Sequence, residues 1–268
     1  MLSILSLSKK TKTLENMTTV NKLKKKNRRA PFQSLSFKNY SIELLRQIRP
    51  AMKMGVGGNS VLNFLLNNVA ERLCIEAGRV CRHHNKELLT DNEFKTAVQM
   101  MFPGELCTHA QSDGLKALTL KKEGKVNGGL VFEEDRVRRL IRRGKFANQV
   151  GANAALYLAA VLEYLAAELL ECAGLRAAAL GRAHIKASHM QFVYRNPHRD
   201  SELHALLGHV VIPASVKDWI KQNSKKEKTT TAAAGAAVAG AGAGAGASTS
   251  EDVVRDLSNA IASLHVTS

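Results

Sequence analysis

The sequence predicts an all-α chain built from two helical units in tandem. Three observations carry that expectation. Residues 40–102 and 135–207 repeat one pattern: short helix, loop, very long helix, loop, short helix. Apolar residues in both long segments recur at three- and four-residue steps. Aromatic residues make up only 5% of the chain, while Ala, Leu and Val abound, which suits helices better than sheets. One such unit alone exposes a long apolar stripe. Two in one chain can cover each other, so the units are expected to clasp.

In chain order, residues 1–38 hold ten basic residues and one acid, Glu15, with little apolar periodicity; they read as a disordered basic tail. The first unit opens with a short helix from Ser41, a candidate N-cap, to Ile48, stopped by Pro50. Gly55, Gly57 and Gly58 form a loop. Asn59 or Ser60 then caps a long helix to about His84, with Leu62, Leu65, Leu66, Val69, Leu73, Ala77 and Val80 along one face. Thr90 precedes a short helix carrying Phe94, Ala97, Val98 and Met101, which Pro103 closes, and an amphipathic helix follows over 104–120. A Gly- and Lys-containing linker covers 121–127.

The second unit begins with a basic helix over 136–143, Val137, Leu140 and Ile141 on one side, ended by Gly144. Residues 151–180 read as a second long helix, apolar around most of its girth and therefore the central buried rod. Glu163, Glu168 and Glu171 fall within an arc of about 140° at ~100° per residue, which places them on one exposed edge. A short helix over 188–195 ends before Pro197. Residues 210–212 form a short β-like run. Beyond lie a charged stretch (221–228), an Ala/Gly tract (232–247) without the means to build a core, and a weakly periodic end (251–266). The resulting divisions are 1–38, 39–120, 121–134, 135–223 and 224–268.

The charge balance names a class of partner. The chain carries 39 Lys+Arg against 23 Asp+Glu, a formal net charge of +16. Such an excess implies a polyanion, nucleic acid first and an acidic membrane surface second. No membrane span is expected, because Glu163 interrupts the most apolar stretch, 151–162. The opening MLSILSLS precedes its lysines, the reverse of a secretory leader. Cys74, Cys81, Cys107 and Cys172 form no CxxC pair and read as reduced thiols. Cys81 lies near His83 and His84 but lacks a suitably spaced fourth ligand, so no metal is expected. His83, His84, His184, His189 and His198 are scattered, with no nucleophile–base–acid set and no phosphate-cradling glycine loop. Neither enzyme activity nor a cofactor is expected.

Particular runs carry a resemblance. The stretch DRVRRLIRRGKFANQVGANAALYLAAVLEYLAAELLECAG, followed by HMQFVYRN and ELHALLGHVVIP, resembles core histone 2A. YSIELLRQIRP, AERLCIEAGRVCRHHNK, FKTAVQMMFPGEL and HAQSDGLKAL resemble core histone 2B. The likeness covers residues 40–220, in the order 2B then 2A. That arrangement is similar to the histone doublets of large double-stranded DNA viruses that infect amoebae. It implies two histone folds in an intramolecular handshake. The connection over 121–135 reaches roughly 45 Å when extended, at ~3.3 Å per residue, long enough for this.

The resemblance further implies sequence-nonspecific packaging of double-stranded DNA in nucleosome-like particles, two copies per particle. Partners would be histone 3- and histone 4-like proteins fused in a second doublet, and the location the virion and the host nucleus or a cytoplasmic viral factory. By the same likeness, DNA would meet three surfaces. One joins the first helices: Lys38 with Arg136, Arg138, Arg139, Arg142, Arg143 and Lys145. The others pair a first loop with the partner unit's second loop, through Lys53, Asn59, Ser60, Lys86, Arg182, His184 and Lys186. An acidic patch that receives arginine anchors would comprise Glu105, Asp113, Glu163, Glu168, Glu171, Asp200 and Glu202, with Pro197, His198 and Arg199 at its edge. LLGHVVIP and Trp219 resemble the segment of histone 2A that docks on the histone 3–histone 4 tetramer. The competing reading is a histone-fold regulator that binds specific DNA sites.

Departures from the family weaken the DNA grip. Gln149 and His184 stand where loop arginines are usual. Glu87 replaces another in a second loop about one residue short. Each loss removes a phosphate or minor-groove contact, so particles assembled from this chain should release DNA at lower salt than those of cellular histones. A salt titration showing equal or greater resistance would reject this.

Overall fold

Mutual burial of two long helices organises the chain. The structure is a computed structural model that describes residues 35–214 and 216–218 of the 268. The segments at 1–34, 221–228, 232–247 and 251–266 interpreted above, and Trp219, lie outside the described residues. In the first unit, α1 (Lys38–Ile48) leads through β1 (Lys53–Met54) into α2 (Val56–His83). Strand β2 (Leu88–Leu89), α3 (Asp91–Met101) and α4 (Gly104–Lys122) follow. After a 3₁₀ turn (Val126–Gly129) come α5 (Glu134–Gly144), β3 (Gln149–Val150), α6 (Ala154–Ala179), β4 (His184–Ile185), α7 (Ala187–Arg195) and α8 (Ser201–Leu207). The fold is all-α, with two-residue strands in the loops.

Helix α6 is the central rod, as its composition suggests. It packs against α1, α2, α3, α4, α5 and α7, and every residue from Ala154 to Leu162 is buried. Helix α2 buries Leu62, Leu65, Leu66, Val69 and Leu73 completely. Each such side chain contributes about 1.5–3 kcal/mol on leaving water. The units interlock reciprocally: α3 of the first packs on α6 of the second, and α7 of the second packs on α2 of the first.

Both loop pairs fix this arrangement. Strand β1 runs parallel to β4, with Lys53 opposite His184 and Met54 opposite Ile185. Strand β2 runs parallel to β3, with Leu88 opposite Gln149 and Leu89 opposite Val150. Each pair thus joins the first loop of one unit to the second loop of the other. Gly58 permits one of these contacts, since a Cβ there would run into the Ile185 carbonyl.

Several helix ends differ from expectation. Ser41 is no N-cap; it lies inside α1, buried, with its hydroxyl donating to the Phe37 carbonyl at 2.9 Å. Asn59 and Ser60 also fall inside their helix, which starts three residues earlier at Val56. The Ser60 hydroxyl donates to Val56 O at 3.0 Å, and Asn59 Nδ2 to Lys38 O at 3.1 Å. Short polar side chains that bond a carbonyl four residues back can sit within a first turn rather than before it. Gly144 is the last residue of α5, and Lys145 takes the left-handed conformation beyond it (φ 50°). Gly144 serves instead as a seat for the Phe146 ring, which a Cβ would strike. Residues 210–212 form no strand, although Val210 and Ile212 are buried.

The link between units is built rather than loose. Asn127, at φ 54°, donates through its amide to Leu130 O (2.8 Å) and Phe132 O (2.9 Å) and accepts from the Glu134 N–H (2.9 Å). Phe132 is buried and stacks on Phe37 with ring centroids 5.1 Å apart. Lys121 pairs with Glu134 at 2.6 Å.

Thr90 and Glu93 form a complete capping box at the start of α3. The Glu93 side chain is 2% exposed, and Lys86 reaches it at 2.7 Å. Burial alone would raise the Glu93 pKa. Hydrogen bonds from Lys86 and Thr90 outweigh it and hold the value down to about 2, from an ordinary 4.5. A depressed pKa in the folded state stabilises fully above the unfolded value, and that contribution fades as pH falls from about 4.5 to about 2. Glu93→Gln should therefore cost about 1–3 kcal/mol at pH 7, and the gap to the unaltered chain should shrink through that window. Equal thermal midpoints at pH 7 would refute the assignment.

Candidate nucleic-acid interface

The basic side chains gather at three places, each combining both units. The first lies where α1 meets α5. Phe132 packs on Phe37 and on Tyr40 (5.9 Å between centroids), which draws the two helix starts together. The Arg136 guanidinium lies 5.4 Å from the Tyr40 ring centre, while its Nε contacts Glu133 at 3.1 Å. Arg136, Arg139, Arg142, Arg143 and Lys145 are exposed; Lys38 is half-buried. Apolar Val137, Leu140 and Ile141 face inward and turn the arginines out.

Arg138 is different. It bonds Glu134 and donates to Ala152 O at 3.0 Å, and its side chain is 20% exposed. It ties α5 to the approach of α6 and presents little to solvent.

The second place is the β1–β4 pair. Period-two alternation puts Met54 and Ile185 inward and Lys53 and His184 outward. Lys53 N–H donates to Ala183 O at 2.8 Å, which holds the loops side by side. Exposed Arg182 and Lys186 flank the pair. Asn59 and Ser60, expected here, are each 7% exposed and engaged in the bonds described above. His189 closes the following helix start: its Nδ1 accepts from the Lys186 backbone N–H at 3.2 Å. Burial, then the nearby cations Lys186, Arg176 and Arg182, lower its pKa, which favours the neutral ring that bond requires.

The third place is the β2–β3 pair. Gln149 N–H donates to Glu87 O at 3.0 Å and Gly151 N–H to Leu89 O at 2.8 Å. Beside it lies an open polar hollow of about 660 Å³ lined by Arg142, Lys145, Ala147, Asn148, Gln149 and Val150. Lys86 is exposed but bound to Glu93. Sequence reasoning missed Arg82 and Asn148 here. Arg82 sits in the last turn of α2 and donates to Phe146 O at 3.3 Å across the units. Its position at a helix end just before a loop was the available signal.

Among the described residues, no ion pair joins Lys53, Arg142, Lys145, Arg182 or Lys186 to a carboxylate. Unpaired exposed cations on two-unit loop pairs suit a phosphate backbone, which asks for charge rather than for base-reading groups.

The acidic residues behave otherwise. Glu163, Glu168 and Glu171 are half-buried rather than exposed. Glu163 accepts from the Phe132 N–H at 2.7 Å, and Glu171 binds Arg49 through two bonds of 2.9 and 2.6 Å. Glu202 accepts from the Glu105 and Leu106 N–H groups (2.9 and 2.7 Å) and so caps α4. Asp200 caps α8, accepting from Leu203 N–H at 2.7 Å. Burial pushes the Glu163 and Glu168 carboxyls up, and for Glu168 neighbouring Asp200 and Glu171 add to it. Glu105 is exposed, 3.6 Å from His109, and Asp113 is half-buried.

No helix among the described residues is long and apolar enough to cross a membrane. The sequence matches no protein-family model.

The two kinds of arginine should separate on mutation. Arg138→Ala leaves Glu134 short of a partner and should cost about 1–2 kcal/mol of stability. Arg142→Ala should stay within about 0.5 kcal/mol while eluting earlier in salt from a duplex-DNA or heparin column. Equal thermal shifts for both would overturn the division.

Proposed function

We propose that this chain packages double-stranded DNA without reading its sequence. In this reading the two units are histone folds, the first like histone 2B and the second like histone 2A, clasped within one polypeptide. The reciprocal pairing of first and second loops carries the reading. It sets exposed Lys53, His184, Arg182 and Lys186 together on one loop pair, and Arg142, Lys145 and Gln149 on the other. The arginine row on α5 beside Tyr40 supplies a third contact. The net charge of +16 supports the same partner. Affinity would come mainly from phosphate neutralisation and displaced counterions.

Two copies would join histone 3- and histone 4-like folds, supplied by a second fused protein, in a particle that compacts a viral genome. The docking-like stretch after α8, where Val211 leaves an apolar side chain exposed, supports that partner. The location would be the virion and the host nucleus or a cytoplasmic viral factory.

Micrococcal nuclease digestion of random-sequence DNA assembled with this protein tests the proposal. With a fused histone 3–4 partner present, a protected fragment of regular length is expected. Protection confined to particular sequences would favour a site-specific regulator instead. Digestion leaving no protected length at all would sink both readings.

A further inference from the structure

The two loop pairs repeat one geometry with different chemistry. On each, a two-residue parallel bridge turns one rung outward and the next inward. On the β1–β4 pair the outward rung is Lys53 opposite His184, and exposed Arg182 and Lys186 flank His184 in the chain. On the β2–β3 pair the equivalent rung is Leu88 opposite Gln149. Both side chains are exposed, Leu88 to 42%, and neither carries charge.

Charge beyond the rungs widens the difference. The stretches 51–55 and 181–186 that form the β1–β4 pair contain no acid. The β2–β3 pair contains Glu87, exposed, with its carbonyl tied to the Gln149 N–H at 3.0 Å, so a carboxylate is anchored beside the bridge. Lys86, next to it, is held by Glu93 at 2.7 Å, the same carboxylate that completes the capping box of α3. The other cations of this pair stand off the bridge. Arg142 and Lys145 line the hollow at the end of α5, and Arg82 donates to Phe146 O at 3.3 Å.

We propose that the two loop pairs hold duplex unequally: the β1–β4 pair is the anchor, and the β2–β3 pair is the end from which duplex lifts first. A duplex lying against the outward rungs meets Lys53 on one pair. On the other it meets a leucine and an amide beside a carboxylate. Each neutralised phosphate makes log affinity fall by about 0.9 per unit of log salt, and Glu87 opposes such a contact by repulsion. The weaker end therefore lets go at lower salt. Lifting there breaks no hydrogen bond of either bridge, so duplex becomes accessible at one defined end while the units stay clasped. The inference rests on the reading that the loop pairs meet a phosphate backbone, and it adds a direction to the release.

The test uses the full chain, labelled with ¹⁵N, and an excess of a short random-sequence duplex, with NaCl raised stepwise. The amides of Lys53 and Gly55 report on one pair and those of Gln149 and Gly151 on the other, since all four donate in the loop contacts. The duplex-induced shifts of Gln149 and Gly151 should revert at lower salt than those of Lys53 and Gly55. Lys53→Gln should reduce the slope of log affinity against log salt by about 0.9. Leu88→Lys should steepen it by about as much and raise the salt at which Gln149 and Gly151 revert. Reversion of both pairs at one salt concentration, or of the β1–β4 pair first, would overturn the proposal and leave the packaging reading intact. An unchanged order and slope in Leu88→Lys would do the same. Shifts absent from all four amides at low salt would remove both.

Discussion

Register between the paired loops is the constraint on which the remaining structure depends. Two helices of 28 and 26 residues cover each other's apolar stripes, but burial alone is nondirectional and would accept a slip along the rods. The two short parallel bridges do not. Side chains on a strand alternate faces, so a one-residue slip would turn Met54 and Ile185 outward and Lys53 and His184 into the core. Packing and surface charge are thus set by one geometric choice. Gly58 is part of that choice, because the Ile185 backbone lies where its side chain would be.

Joining both units in one chain makes their encounter intramolecular and their ratio one to one. The connection does more than tether. Asn127 gathers three backbone groups, and Phe132 fills the junction against Phe37 and Tyr40. Glu134 receives both Lys121 and Arg138. Ordering this connection costs more conformational entropy than closing a free loop of the same length, and its own hydrogen bonds and packing offset part of that cost. It also fixes where α5 starts, and therefore which arginines face out.

Much of the fold was legible in the sequence because periodicity is a local property. The long rods, the Thr90 helix start, and the inward Val137, Leu140 and Ile141 all follow from spacings of three and four residues. Helix ends were less legible. Ser41 and Ser60 bear the side chains of caps, but each bonds a carbonyl four residues back and stays within its helix. The acidic face was misread for another reason. An arc of three glutamates looks solvated until its partners are known, and those partners are far away in sequence. Glu163 meets Phe132 across 31 residues, Glu202 meets Leu106 across 96, and Arg49 meets Glu171 across 122. Basic positions at the loops were easier to place, since a cation that stays in water needs no distant partner to explain it.

That asymmetry between acids and bases has a physical cause. A carboxylate half-buried on α6 or enclosed beside α3 has lost part of its hydration, and it must regain hydrogen bonds from the protein or become neutral. Hence Glu93, Glu163, Glu171 and Glu202 each find donors, three of them at backbone N–H groups. An exposed Lys53 or Lys186 keeps its water. A surface ion pair there would contribute only about 0–1 kcal/mol, so folding does little to recruit one. These acids are drawn inward to serve the fold, and apart from Lys86, which Glu93 holds, the loop cations Lys53, Arg182 and Lys186 carry no ion pair among the described residues. An excess of positive charge distributed by this rule collects on the loop pairs, where a polyanion can displace counterions without breaking any bond the fold relies on.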